Sequence, residues 1–155
     1  MNFFSELAQN KILISAASGW IIAQILKTII HTLFTKNFDA ERLVGGGGMP
    51  SSHSAGVMGL ATTVGLIQGF ASVDYAMALG YALVVMYDAA GVRRAAGKQA
   101  ACLNKIIMDI YKQELKEAGG KLKELLGHTP IQVFWGAVLG AVYAYYMHKH
   151  FLGLL

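Results

Sequence analysis

Apolar residues in this chain gather into four long runs separated by polar or glycine-rich connections. The first extends from Ile12 to about Phe34 and is broken by Gln24, Lys27 and His31. The second runs from Ser54 to Phe70, and the third from Tyr75 to about Tyr87, with a continuation through Asp88-Ala89-Ala90-Gly91. The fourth runs from Ile131 to about Met147. A helix in water keeps a polar face, and these runs show almost none. Each is near or below the ~17–25 residues that cross a hydrocarbon core. The pattern predicts an all-α integral membrane bundle of about four transmembrane helices. Between the third and fourth runs, apolar residues such as Leu103, Ile106, Ile110, Leu122 and Leu126 recur at helical spacing, interrupted by Gly119-Gly120. Lysines and acids fill the other face. This predicts an amphipathic interfacial segment over residues 95–126, inserted on the basic side within one domain, residues 1–155.

Composition agrees with lipid as the solvent. Hydrophobic residues make up 55% of the chain and charged residues 14%, against ~25% charged in soluble domains. A disordered tail and a nucleic-acid arm are excluded on that ground. A single cysteine, Cys102, excludes a disulfide scaffold. The first run lacks a preceding basic cluster, so it is expected to be retained as a span and not cleaved as a signal peptide. Gly65 with Gly69, and Gly136 with Gly140, have the four-residue spacing that lets helices approach closely in lipid.

The sparse charge is unevenly placed. Residues 91–129 carry eight lysines and arginines against four acids, the same +4 as the whole chain, and Lys36 and Arg42 join them after the first run. The positive-inside rule puts these loops on the cytoplasmic face, or the stromal face of a plastid membrane, with both termini opposite. The basic positions lack the dense stripe and aromatic interleaving of a nucleic-acid surface, so no nucleic-acid partner is expected.

Candidate chemistry collects on that same side. Gly45-Gly46-Gly47-Gly48-Met49-Pro50-Ser51-Ser52-His53-Ser54 stands at the mouth of the second run. Pro50 suits a first helical turn, and the N–H groups of Ser51, Ser52 and His53 would make an anion site at the helix start. Asp88, Arg93 and Arg94 close the third run. Arginine's planar fork suits phosphate, and Asp88 would orient a histidine or an arginine. His128 enters the fourth run, and Lys27 lies near the basic end of the first. Two histidines with cationic anchors suit phosphoryl transfer through a phosphohistidine, which needs no metal. No metal-ligand motif is evident, and no cofactor is expected.

At these residues the chain resembles the type 2 phosphatidic acid phosphatase superfamily, which includes vanadium-dependent haloperoxidases, and within it a divergent membrane branch. Pro50-Ser51-Ser52-His53 is similar to its P-S-G-H motif. Gly91-Val92-Arg93-Arg94 and Leu126-Gly127-His128-Thr129-Pro130 resemble the two halves of its S-R-x5-H-x3-D motif. Lys27 is the counterpart of the lysine in the remaining motif. The R-P pair of that motif is absent, and Arg42 is the stand-in for its arginine. The resemblance implies His128 as nucleophile and His53 as general acid. It also implies phosphate contacts from Lys27, Ser51, Ser52 and Arg93 or Arg94. Two departures stand out: about 33 residues separate Arg94 from His128 where the pattern has five, and Gln132 occupies the aspartate position. The expectation is therefore a metal-independent membrane phosphatase acting on a lipid phosphate such as phosphatidylglycerophosphate, phosphatidate or a polyprenyl pyrophosphate. A homodimer would complete a bundle smaller than the superfamily's usual six spans. The alternative is a non-catalytic relative that binds anionic headgroups or scaffolds partners.

Overall fold

The computed structural model describes residues 2–38, 47–110 and 127–151. Among them there is no strand. The helices are α1 (Phe3–Gln9), α2 (Lys11–Thr35), α3 (Ser52–Gln68), α4 (Val73–Ala90), α5 (Val92–Ile110) and α6 (Pro130–His150). The four apolar runs are α2, α3, α4 and α6, within a few residues of their expected limits. The short α1 has no counterpart in the apolar pattern.

Side-chain oxygens start the main helices. Asn10 Oδ1 accepts the N–H groups of Ile12 and Leu13, both at 3.1 Å. Ser51, Ser72 and Thr129 do the same for Ser54, Tyr75 and Gln132 at 3.2–3.3 Å. Replacing such a cap by alanine costs about 1 kcal/mol. One start differs from expectation: Pro50 lies before the cap of α3 and not in its first turn. Ser51 takes the capping position because its hydroxyl can accept an N–H, which a proline ring cannot.

α3 is the central helix, antiparallel to α2 and α4 and parallel to α6. Its register is set by small residues. Gly19 of α2 lies against the Ala55 carbonyl, and Gly59 of α3 against the Ser15 carbonyl. A Cβ on Gly140 would collide with the Ala55 backbone, and one on Gly136 with the Ser51 backbone. Gly136 and Gly140 thus form a helix-packing seam within the chain, as their spacing predicts. Gly65 and Gly69 do not. Gly69 ends α3 with φ +90°, and Gly65 faces the rings of Phe70 and Tyr75. On the other face of α3, Ala61 and Val64 pack against Ala78 and Ala82 of α4.

Burial is inverted relative to a soluble domain. The buried apolar residues are alanines and valines, whereas Ile21, Ile25, Leu33, Met77, Val84, Phe134 and Trp135 are exposed. Large apolar patches of this kind are uncommon on monomers in water. Among the described residues, two helical runs, Lys11–Thr35 and Val73–Ile107, are long and apolar enough to cross a membrane.

The second of these runs is interrupted at Gly91, where α4 ends and α5 begins. Among the described helices α5 packs only against α4. It starts at Val92, slightly before the expected amphipathic segment, and exposes Val92, Leu103 and Ile106. The remainder of that segment, residues 111–126, lies outside the described residues.

Candidate active site

Antiparallel packing brings the ends of α2 and α4 and the starts of α3 and α6 to one end of the bundle. Two backbone hydrogen bonds tie these ends together. The Ser51 N–H donates to the Gln132 carbonyl at 3.0 Å, joining α3 to α6. The His128 N–H donates to the Ala89 carbonyl at 3.1 Å, joining the α6 entry to α4. Residues far apart in sequence are thereby gathered: Lys27, His53, Asp88, Arg93 and His128.

Two glycines permit the close approaches that this requires. Gly48 has φ +84°, and a Cβ there would stand 2.8 Å from Cγ and Cδ of Lys27. The loop backbone therefore lies directly on the lysine stem, where a side chain would displace it. Gly127 has its Cα against the backbone of Arg93 and Arg94; an added Cβ would clash with the Arg94 nitrogen. That contact sets His128 beside the α4–α5 junction.

The two histidine rings meet edge to face, with centroids 5.6 Å apart and planes at 79°. His128 is 2% exposed. Its Nε2 and the Nδ1 of His53 are buried and have no hydrogen-bond partner among the described residues. Burial, followed by the influence of His53 and the charges of Lys27 and Arg93, lowers the His128 pKa from 6.5 to about 4. His128 is accordingly a neutral imidazole at neutral pH. Lys27, Arg93 and Asp88 also lie within electrostatic reach of His53.

The remaining candidates divide into those facing the rings and those that build the scaffold. Lys27 is 2% exposed, on the last turns of α2. Arg93 is the arginine whose charge acts on both rings, while the backbone of Arg93 and Arg94 together packs on Gly127. Asp88 accepts a hydrogen bond from Arg93 Nε at 2.6 Å, so its carboxylate is bonded to an arginine and, among the described residues, not to a histidine. Ser51 is fully buried, its hydroxyl accepting from both the N–H and the hydroxyl of Ser54. With its own N–H bonded to Gln132, Ser51 is a strut between helices and not an open anion donor. Ser52 and His53, in the first turn of α3, have N–H groups with no intrahelical acceptor by position.

Gln132 has a role that its alignment with an aspartate hides. Its Oε1 accepts the Thr129 N–H at 2.9 Å, while its own N–H donates to Thr129 Oγ1 at 3.3 Å. This is a capping box, and the Thr129-x-x-Gln132 spacing announces it in the sequence. The Ala89 carbonyl and the Gly48–Lys27 contact carried no comparable signal. Among the described residues, no group of three or more His, Cys, Asp or Glu is clustered as metal ligands would be.

Residues 8–143 match the family described as the Divergent PAP2 family. The chain belongs to that family. It is also 41% identical over 145 residues to a Bacillus subtilis (strain 168) protein described as an uncharacterized membrane protein, YuiD, covering 87% of this chain and 92% of that one. No solved structure matches the chain. For this Divergent PAP2 family member, the match spans every element from α2 to most of α6 and so includes both histidines and the junction at Gly91.

Proposed function

We propose that the protein is an integral membrane phosphohydrolase that cleaves a lipid phosphate through a phosphohistidine on His128. The observation that carries this is the His53–His128 pair, with a buried unpartnered nitrogen on each ring, beside Lys27 and Arg93. In this reading α2, α3, α4 and α6 all cross the membrane, and α5 lies along the headgroups on the side of the site. The charge distribution supports a cytoplasmic or stromal site with both termini opposite. The membrane is a bacterial plasma membrane or a plastid membrane.

The neutral His128 ring supplies a lone pair at Nε2 when its proton is on Nδ1. Attack on phosphorus forms the N–P bond as the P–O bond to the lipid alcohol breaks. His53, protonated, gives its proton to the departing oxygen. Water then attacks the phosphohistidine, His53 takes its proton, and inorganic phosphate leaves. Lys27 and Arg93 offset the charge on the phosphoryl oxygens throughout.

A second reading has its own support. Among the described residues no carboxylate is bonded to His128: Asp88 is held by Arg93, and Gln132 by Thr129. A ring without a carboxylate partner is a weaker phosphoryl acceptor, which favours a protein that binds anionic headgroups without turning them over. Phosphate release by the purified protein across phosphatidylglycerophosphate, phosphatidate and polyprenyl pyrophosphate separates the two. Activity that persists in His128→Ala overturns the phosphohistidine. Saturable phosphate binding without release supports the binding protein. A concentration-independent dimer in the same preparation would support completion of the bundle by a second copy.

A further inference from the structure

We propose that Asp88 is a positioning residue: its carboxylate holds Arg93 through Nε so that the terminal guanidinium nitrogens are presented to an oxyanion beside His53 and His128. The inference rests on reading this end of the bundle as a phosphate site. It assigns to Asp88 a task distinct from proton transfer.

The argument begins at Gly91. The helical path breaks there, with φ −103° and ψ −81° between the last turn of α4 and the first of α5. Arg93 stands just beyond the break and Asp88 just before it. A free arginine side chain has many rotamers, and this one is 58% exposed. Left to itself it would sample solvent. Asp88 Oδ2 accepts from Nε across the break at 2.6 Å, which fixes the stem and the plane of the guanidinium. A guanidinium has five N–H donors. A contact through Nε commits one of them and leaves the four on the two Nη atoms, a fork that matches two oxygens of a phosphate.

A simpler role is a clamp that closes the helix break. Exposed ion pairs of this kind contribute little to stability, and the junction is already closed by hydrogen bonds from Gly91 to Tyr87 and from Ala95 to Gly91. The two roles differ in sign at the ligand. A carboxylate beside an oxyanion site repels the ligand, so removing its charge should tighten binding if Asp88 were only a clamp. If Asp88 aims Arg93, removing it should weaken binding.

The test is orthovanadate binding, by calorimetry, to the full chain in nanodiscs of zwitterionic lipid. Asp88→Asn is expected to weaken vanadate by about tenfold while unfolding at nearly the same temperature. Asp88→Glu should recover most of the loss. In an Arg93→Lys background, which lacks the Nε donor, Asp88→Asn should have no further effect. Equal or tighter binding by Asp88→Asn overturns the proposal, as does failure of that variant to fold, which would assign Asp88 to the helix joint. Additive losses in the double variant overturn it as well. No vanadate binding by the unmodified chain overturns both this proposal and the phosphate-site reading. Binding without hydrolysis supports the positioning role and removes only the enzyme.

Discussion

The α3–α6 seam carries a buried histidine near each of its ends, and the two are in different company. His128 and His148 are 2% and 5% exposed, and each has a ring nitrogen without a hydrogen-bond partner among the described residues. His148 lies one helical turn beyond Ala144. The register of Gly136 on Ser51 and Gly140 on Ala55 places it level with Thr63. Among the described residues, the polar groups near that level include the Thr63 and Ser15 hydroxyls, which are 2.8 Å apart and hydrogen-bonded. At the other end, a second imidazole, a lysine and an arginine arrive from three further elements. The two ends differ in company and not in burial: the proposed site is the end at which charge converges on a pair of rings.

The largest effect that sharpens this contrast is on catalysis. His128→Ala should lower phosphate release by about a thousandfold or more, while His148→Ala should leave the rate within about threefold, the scale separating a nucleophile from a bystander. Comparable losses in both variants would erase the distinction between the two ends.

Next comes the seam that joins them. Gly140→Leu places a side chain where even a Cβ meets the Ala55 backbone. Overpacking at such a crossing should cost about 3 kcal/mol or more, seen as a large loss of thermal stability in detergent. Gly80 has nothing within 4 Å of its Cβ position, so Gly80→Ala, inside α4, should not lower stability and serves as the control.

The pH dependence of stability probes one end alone. Because the folded pKa of His128 is about 4, below the usual 6.5, the unfolded chain binds the extra proton first as pH falls. The contribution of a neutral His128 is fully present above pH ~6.5 and is lost progressively down to about 4. Its ceiling is on the order of 3 kcal/mol. In His128→Asn this part of the profile should flatten. Saturating phosphate should reverse the trend in the unmodified protein, since an oxyanion favours the charged ring. An unchanged profile in His128→Asn would show that the ring is not held neutral by its surroundings.

The smallest effect concerns the scaffold. Gln132→Ala should cost about 1 kcal/mol through loss of the capping box, measured as a modest drop in melting temperature. Gln132→Asp should not create a carboxylate–histidine pair, because the side chain at this position turns toward the Thr129 N–H. A raised His128 pKa in Gln132→Asp, followed by NMR, would contradict that.

Much of the architecture was legible in the chain. The four apolar runs, the amphipathic start of α5 and the Gly136/Gly140 seam all follow from local periodicity, which a helix converts directly into a face. The candidate site was legible as residue types: Lys27, His53, Arg93 and His128 are unusual near lipid and therefore visible. Their division of labour was not. Ser51 reads as a ligand in a linear motif and Gln132 as a replaced aspartate, yet a hydrogen bond between their backbones makes both part of the helix scaffold. Arg93 and Arg94 are indistinguishable in sequence. They separate in the fold: the charge of Arg93 acts on both rings, and Arg93 is the one bonded to Asp88.

The sequence by itself therefore determined the helices and their apolar outer surfaces, because these depend on neighbours a few residues apart. Only the tertiary structure decided which polar groups meet. Lys27 and His128 are brought together by antiparallel packing through small residues, and Asp88 is committed to Arg93 by the break at Gly91. Such pairings depend on where whole helices end in space, which no local pattern encodes.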